Sequence, residues 1–307
     1  MDLFKSSTLS PETLAEIRKL HFQTRRIATE GVSGQYRSAF RGHGIEFEEV
    51  RPYLPGDDVR AIDWKVTARC HVPHIKSYRE ERELTVMIAI DTSSSTLTGT
   101  RNQLREALIA RVGAVLTLIA LNNNDKVGLV TYSSDVDTFH PPRKGRGAVW
   151  RVLREVMADS SSSTGIVRST NLSGLFGFLS KVLRRQSVVF ILSDFFCSNF
   201  EQSLGALSKS HDVTAIVIRD SADSVLPIAG LVNIVEPETN NAVLVDCRDA
   251  VFRATYEEES RRAKRELESL FMRNRIGFIN LQTDEPFIPK LQSYFSSKKT
   301  RHSGRLG

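Results

Sequence analysis

Four apolar runs, LTVMIAI (84–90), VGLVTY (127–132), VVFIL (188–192) and TAIVI (214–218), are short, continuous and rich in β-branched residues. That is the pattern of strands covered on both faces. Segments with helical spacing separate them: Leu104 to Leu121, Ala148 to Met157, Leu172 to Leu183 and Phe200 to Leu207. The alternation predicts an α/β fold, a doubly wound and mostly parallel sheet between helices. After Asp220 the rhythm breaks. LVNIVEP and NAVLVD flank Glu238-Thr239-Asn240-Asn241, predicting a β-hairpin insertion over about 222–247. A long charged helix, roughly Asp249 to Arg273, and a last strand at GFINLQT (277–283) follow.

Upstream the pattern differs. Ser10-Pro11-Glu12 with Leu14, Ile17 and Leu20 predicts a capped amphipathic helix running toward Arg25. Residues 31–83 are dense in Gly, Arg, Asp and aromatics, with a turn at Pro55-Gly56, and predict a small strand-rich module. The predicted organisation is an N-terminal helix (1–30), the module (31–83), the α/β domain (84–295) and a basic tail (296–307). In the module, Arg41, Arg51, Arg60 and Arg69 alternate with Asp57, Asp58 and Asp63, a pattern that pairs charges and positions turns more readily than it recruits an acidic partner. Trp64 is expected to fill the joint between module and main domain.

Composition adds exclusions. The longest nearly apolar run, Val112 to Leu121, is about half the roughly 20 residues of a membrane span, so a core helix is expected and no transmembrane segment. The N-terminus lacks a basic segment leading into an apolar one, and a cytoplasmic protein is expected. Cys70, Cys197 and Cys247 are too far apart for a thiolate zinc site and odd in number. Five bases of residues 290–307 (Lys290, Lys298, Lys299, Arg301, Arg305), with no acid among them, account for five of the six net positive charges. The charge therefore marks a solvated end and predicts no nucleic-acid partner. Neither GxxxxGK[ST] nor GxGxxG nor HExxH occurs, which removes ATP hydrolysis and catalytic zinc from the expectations.

The candidate chemistry lies where strands end. Ligands of an open parallel sheet bind beyond the carboxyl ends of its strands. Asp91 follows LTVMIAI and Asp194 follows VVFILS. Asp91, Ser93 and Ser95 occupy alternate positions, so an extended loop aims all three the same way. With Thr170, before a predicted helix, the set is two carboxylates and three hydroxyls, hard donors suited to Mg²⁺, with Mn²⁺ or Ca²⁺ as substitutes. Thr164, in SSSSTG (160–165), is a rival for the threonine position. Asp220 also ends a strand and is expected to cap the following loop. A haloacid-dehalogenase-like phosphohydrolase would also place an aspartate after its first strand, but its acid–base carboxylate two residues on is here Ser93. No catalytic constellation emerges. A metal-independent scaffold working through the basic tail is the other alternative.

Asp91-Thr92-Ser93-Ser94-Ser95, Thr170 and Asp194, in this order, resemble the metal-ion-dependent adhesion site of von Willebrand factor type A domains. The resemblance implies direct metal contact by Ser93, Ser95 and Thr170, with Asp91 and Asp194 acting largely through water. The stretch GQYRSAFRGHGIEFEEVRPYLPGDDVRAIDWKVTAR (34–69), with IKSYREERE (75–83) and IAIDTSSS, is similar to the bacterial family called domain of unknown function 58. Thr96 departs from that pattern, where a Met commonly follows DxSxS. The family resemblance implies an adaptor that works beside a MoxR-type AAA+ ATPase on an unknown client protein.

Overall fold

The computed structural model describes Lys19 and residues 32–40, 44–81, 83–97, 104–157, 168–226, 228–235 and 241–303. The helix expected from Ser10 to Arg25, apart from Lys19, lies outside the described residues, as do Arg41, Thr164 and Arg305. In chain order the elements are α1 (Val32–Ala39), β1 (Gly44–Pro52), α2 (Trp64–Cys70), β2 (His74–Glu81), β3 (Thr85–Asp91), α3 (Arg105–Asn122), β4 (Lys126–Tyr132), β5 (Val136–Arg143), α4 (Arg146–Val156), α5 (Leu172–Val182), β6 (Val188–Ser193), α6 (Glu201–Ser210), β7 (Asp212–Arg219), β8 (Leu231–Val235), β9 (Ala242–Asp246), α7 (Ala250–Arg273), β10 (Gly277–Gln282) and α8 (Phe287–Ser303). They form two compact units, one of Arg41–Glu83 and one of the remaining chain.

In the larger unit six strands make one sheet in the order β10-β7-β6-β3-β4-β5. All neighbours are parallel except β4 and β5. The chain starts in the middle at β3, winds outward through β4 and β5, then returns to build β6, β7 and β10 on the other side. The order reverses between β3 and β6, which places the crevice of a doubly wound sheet at the ends of those two strands. This is the α/β architecture, a doubly wound and mostly parallel sheet, that the βα alternation predicts.

Both faces of the sheet are covered. On one, Leu108, Val112, Leu116 and Ile119 of α3 pack with Tyr36 and Phe40 and with Leu291 and Phe295 of α8. On the other, Leu175, Phe176 and Leu179 of α5 meet Leu204 and Leu207 of α6 and Phe271 near the end of α7. Helix α3 is buried along most of its length, so its apolar run belongs to the core. Among the described residues no helix is long and apolar enough to cross a membrane.

Three features depart from the sequence reading. Strand β5 is hidden by Pro141-Pro142, which a central strand would not tolerate and an edge strand does. Opposite those prolines the register shifts at Gly128, where an added Cβ would meet the His140 carbonyl oxygen at 2.7 Å and the Pro142 nitrogen at 2.8 Å. The residues read as the start of a basic tail continue α8 to Ser303. Lys298 is largely buried there, bonds Asp212 at 2.6 Å and stands 3.9 Å from the Phe40 ring centroid. Val32–Ala39, read as part of the module, is a helix of the larger unit and packs on α8.

The smaller unit pairs β1 and β2 antiparallel. Arg51 forks onto both oxygens of Asp57 at 2.8 Å, and the Leu54 N–H donates to the same carboxylate at 2.9 Å. Asp58 caps a short turn, while Asp63 caps α2 and pairs with Lys76 at 3.2 Å. Arg51 and the three aspartates thus hold turns. Trp64 is 70% exposed, the first residue after the Asp63 cap on a two-turn helix that buries no residue.

Candidate metal site

The site is built from the strand ends on either side of the reversal point. β3 and β6 are adjacent and parallel, Ile90 opposite Leu192, so Asp91 and Asp194 emerge side by side. Both are buried, at 2% and 1% exposure. Asp91 accepts from the Ser93 N–H at 2.9 Å through Oδ1 and from the Ser193 hydroxyl at 2.6 Å through Oδ2. The Ser93 and Ser95 hydroxyls lie 2.9 Å apart.

The alternate hydroxyls point elsewhere. Thr92 donates to the Tyr132 carbonyl at 3.0 Å and to Asp137 at 2.8 Å. Ser94 exchanges two bonds with Arg168: its N–H donates to the Arg168 carbonyl at 2.9 Å, and its hydroxyl accepts from the Arg168 N–H at 2.8 Å. The Thr96 hydroxyl closes the turn onto the Ser93 carbonyl at 2.7 Å. Odd positions thus gather at the strand end and even positions fasten the loop.

Thr170 lies in the segment that this fastening holds. Arg168 is bonded to Ser94, the Asn171 N–H donates to the Ser133 carbonyl at 2.9 Å, and Asn171 caps α5 through the Gly174 N–H. Thr170 therefore precedes the cap rather than supplying it. Asp220 is engaged elsewhere, accepting from the Ala222 N–H at 3.0 Å and the Thr283 hydroxyl at 2.8 Å, which is the capping role expected of it.

The electrostatics are those of crowded acids. Burial first, and the neighbouring Asp194 carboxylate second, push the Asp91 carboxyl up to about 7. Asp194 Oδ1 accepts from the Phe196 N–H at 3.1 Å, whereas Oδ2 is buried and has no hydrogen-bond partner among the described residues. The guanidinium of Arg105 stands 3.7 Å from that oxygen, beyond hydrogen-bond range. The chain turns sharply here, since the buried Phe195 takes φ 56°.

Sequence reading missed two contributors, Ser193 and Arg105, and one residue that lies beside the site, Arg219. Ser193, the last residue of β6, supplies the donor to Asp91 and was visible only as a polar letter closing an apolar run. Arg105 is nearly buried at the start of α3, donates to the Ser95 carbonyl at 2.7 Å and pairs with Asp223. Arg219, at the end of β7, lies under the Phe196 ring. No spacing rule connects Arg105 or Arg219 to the DxSxS motif, because different strands and helices deliver them.

Two carboxylates and paired hydroxyls, with one buried carboxylate oxygen unsatisfied, suit a small divalent cation. The family model described as "Protein of unknown function DUF58" matches residues 49–266. The chain is 29% identical over 230 residues to the uncharacterized protein Rv1480 of Mycobacterium tuberculosis, covering 75% of this chain and 72% of that one. Among solved structures it is similar to the conserved hypothetical protein BatB of Bacteroides thetaiotaomicron, with a TM-score of 0.44, 15% identity and coverage of 72% and 99% of the two chains. It is also similar to the VWA domain of SpRpn10, with a TM-score of 0.36, 10% identity and coverage of 68% and 93%.

Proposed function

The chain belongs to the DUF58 family, and we propose that it is a protein-interaction adaptor whose contact depends on Mg²⁺ held by Asp91, Ser93, Ser95, Thr170 and Asp194. The observation that carries this reading is the gathering of Asp91, Ser93, Ser95 and Asp194 at the reversal point, with Asp194 Oδ2 left buried and without a hydrogen-bond donor. A divalent ion would offset the repulsion between the two carboxylates and leave a coordination position for an acidic side chain of a partner. The residues of this chain do the positioning. Ser193 and the Ser93 N–H orient Asp91, while Ser94 and Thr92 hold the loop so that Ser93 and Ser95 face the same point.

The partner we propose is a MoxR-type AAA+ ATPase, with this chain presenting client proteins for remodelling in the cytoplasm. The phosphohydrolase alternative has little support, since Ser93 occupies the acid–base position and is itself buried against Ser95. The tail-based scaffold has less to work with, because Lys298 is engaged by Asp212.

The test is recovery of the AAA+ ATPase by wild type and by Asp91→Ala, each in Mg²⁺ and in EDTA, beside a thermal-shift titration with Mg²⁺. The proposal requires recovery by wild type in Mg²⁺ alone and a Mg²⁺-dependent rise in Tm that Asp91→Ala lacks. Equal recovery in all four conditions sinks it.

A further inference from the structure

A second polar feature at the same end of the sheet is not used by the metal site. Arg219 is the last residue of β7, and its guanidinium lies 3.8 Å from the Phe196 ring centroid. It is half-buried, and among the described residues it has no ion pair and no side-chain hydrogen bond. Phe196, two residues beyond Asp194, is 47% exposed. The ring therefore braces one face of the guanidinium while its N–H edge keeps its donors.

The neighbouring Arg105 shows what an internally used arginine looks like here. It bonds the Ser95 carbonyl, pairs with Asp223 and stands close to Asp194. The bland reading of Arg219 is a charge that balances Asp194 and Asp223 from a distance. Against it, Asp223 already has the Arg105 guanidinium and the Asp220 N–H, and the Asp220 carboxylate is filled by Ala222 and Thr283. Burial lowers the Arg219 pKa, so the charge is held at a desolvation cost that no bonded carboxylate offsets. With Asp91 ionised, the local count is four carboxylates (Asp91, Asp194, Asp220, Asp223) against two guanidiniums (Arg105, Arg219). A divalent cation turns that balance from two negative charges to neutrality, which lifts the repulsion of an incoming acid only when the metal is present.

Building on the metal-site reading, we propose that Arg219, braced by Phe196, is a second anchor for the partner: an acidic segment that gives one carboxylate to the metal gives a neighbouring one to the Arg219 guanidinium. The planar fork of arginine suits a carboxylate taken through two N–H groups, and stacking on Phe196 fixes its orientation before binding.

The test uses the full chain and two short labelled Gly/Ser peptides, one with a single aspartate and one with two, followed by fluorescence polarisation in Mg²⁺ and in EDTA. Wild type is expected to bind the two-aspartate peptide about tenfold more tightly, the scale of one added charge-assisted contact. Arg219→Gln should erase that preference and leave Mg²⁺-dependent binding of the single-aspartate peptide unchanged. Phe196→Ala and Arg219→Lys should each retain part of it. Arg265→Gln, an equal loss of charge on the exposed face of α7, should retain all of it.

Mg²⁺-dependent binding with no preference between peptides overturns the anchor and leaves the metal site standing. A preference that survives Arg219→Gln, or one lost equally in Arg265→Gln, also overturns the anchor. An Arg219-dependent preference unaffected by EDTA supports the anchor and removes the metal. Binding of neither peptide overturns both.

Discussion

Parity governs the residues after β3: Asp91, Ser93 and Ser95 gather inward, and Thr92 and Ser94 tie the loop to its neighbours. The fold does not use the extended loop expected there, since Ser94–Leu97 coils as a 3₁₀ turn that brings Ser95 onto Ser93, but the set of oxygen donors itself was legible in the sequence. The donors from elsewhere, Ser193 and Arg105, were not, since adjacency of strands is a property of the sheet. The buried Asp91 leads to a test by pH. Its folded-state pKa of about 7 lies above the ordinary 3.8, so ionising it costs the fold. In metal-free protein this contribution is most favourable below about pH 4 and is lost as pH rises through about 7. The same ionisation frees a carboxylate for a cation, so Mg²⁺ affinity should rise between about pH 6 and about pH 8. Calorimetric titration at several pH values checks this, and Asp91→Asn should flatten the dependence. A flat profile in wild type would contradict the assigned environment.

At the scale of elements, β3, β4, β6 and β7 were readable as continuous apolar runs because a parallel sheet covered on both faces leaves no polar side to its central strands. Edges obey other rules. β5 carries an alternating pattern broken by two prolines, and such a segment reads as a loop until its partner is seen. Helix α8 was masked by its charges, although Phe287, Leu291 and Phe295 recur at helical spacing and all are buried. The close approach at Gly128 gives an element-scale test. The obstacles to a Cβ there are backbone atoms of β5 and cannot swing aside, so Gly128→Ala should displace the edge strand and cost about 1–3 kcal/mol. Chemical denaturation would measure the loss, and hydrogen exchange should locate it in β4 and β5. An unchanged midpoint would mean that β5 accommodates the shift freely.

For the whole molecule, the division into units cuts across the order of the chain. The helix before the Arg41–Glu83 unit belongs to the unit that resumes at Leu84. Phe40 packs edge-on against Phe190 of β6 and Phe295 of α8, and Tyr36 packs against Phe295 as well. A protein that begins at Leu84 would retain every strand of the main sheet and lose this cover. It should melt well below the full chain and bind a hydrophobic dye. Phe40→Ala, costing about 3–5 kcal/mol, should reproduce much of the effect without shortening the chain. Equal Tm values for the full and shortened proteins would count against the packing described.

The proline pair in β5 has a consequence for how copies of this protein behave in a crowded solution. A sheet is open to growth at its two edges, where unpaired backbone groups can template another strand. Pro141 and Pro142 have no N–H to offer, and the register shift beside them bends the strand out of a straight ladder. On that side the fold is built to refuse a stranger's strand. Its associations are thereby steered away from runaway stacking and toward surfaces that recognise side chains.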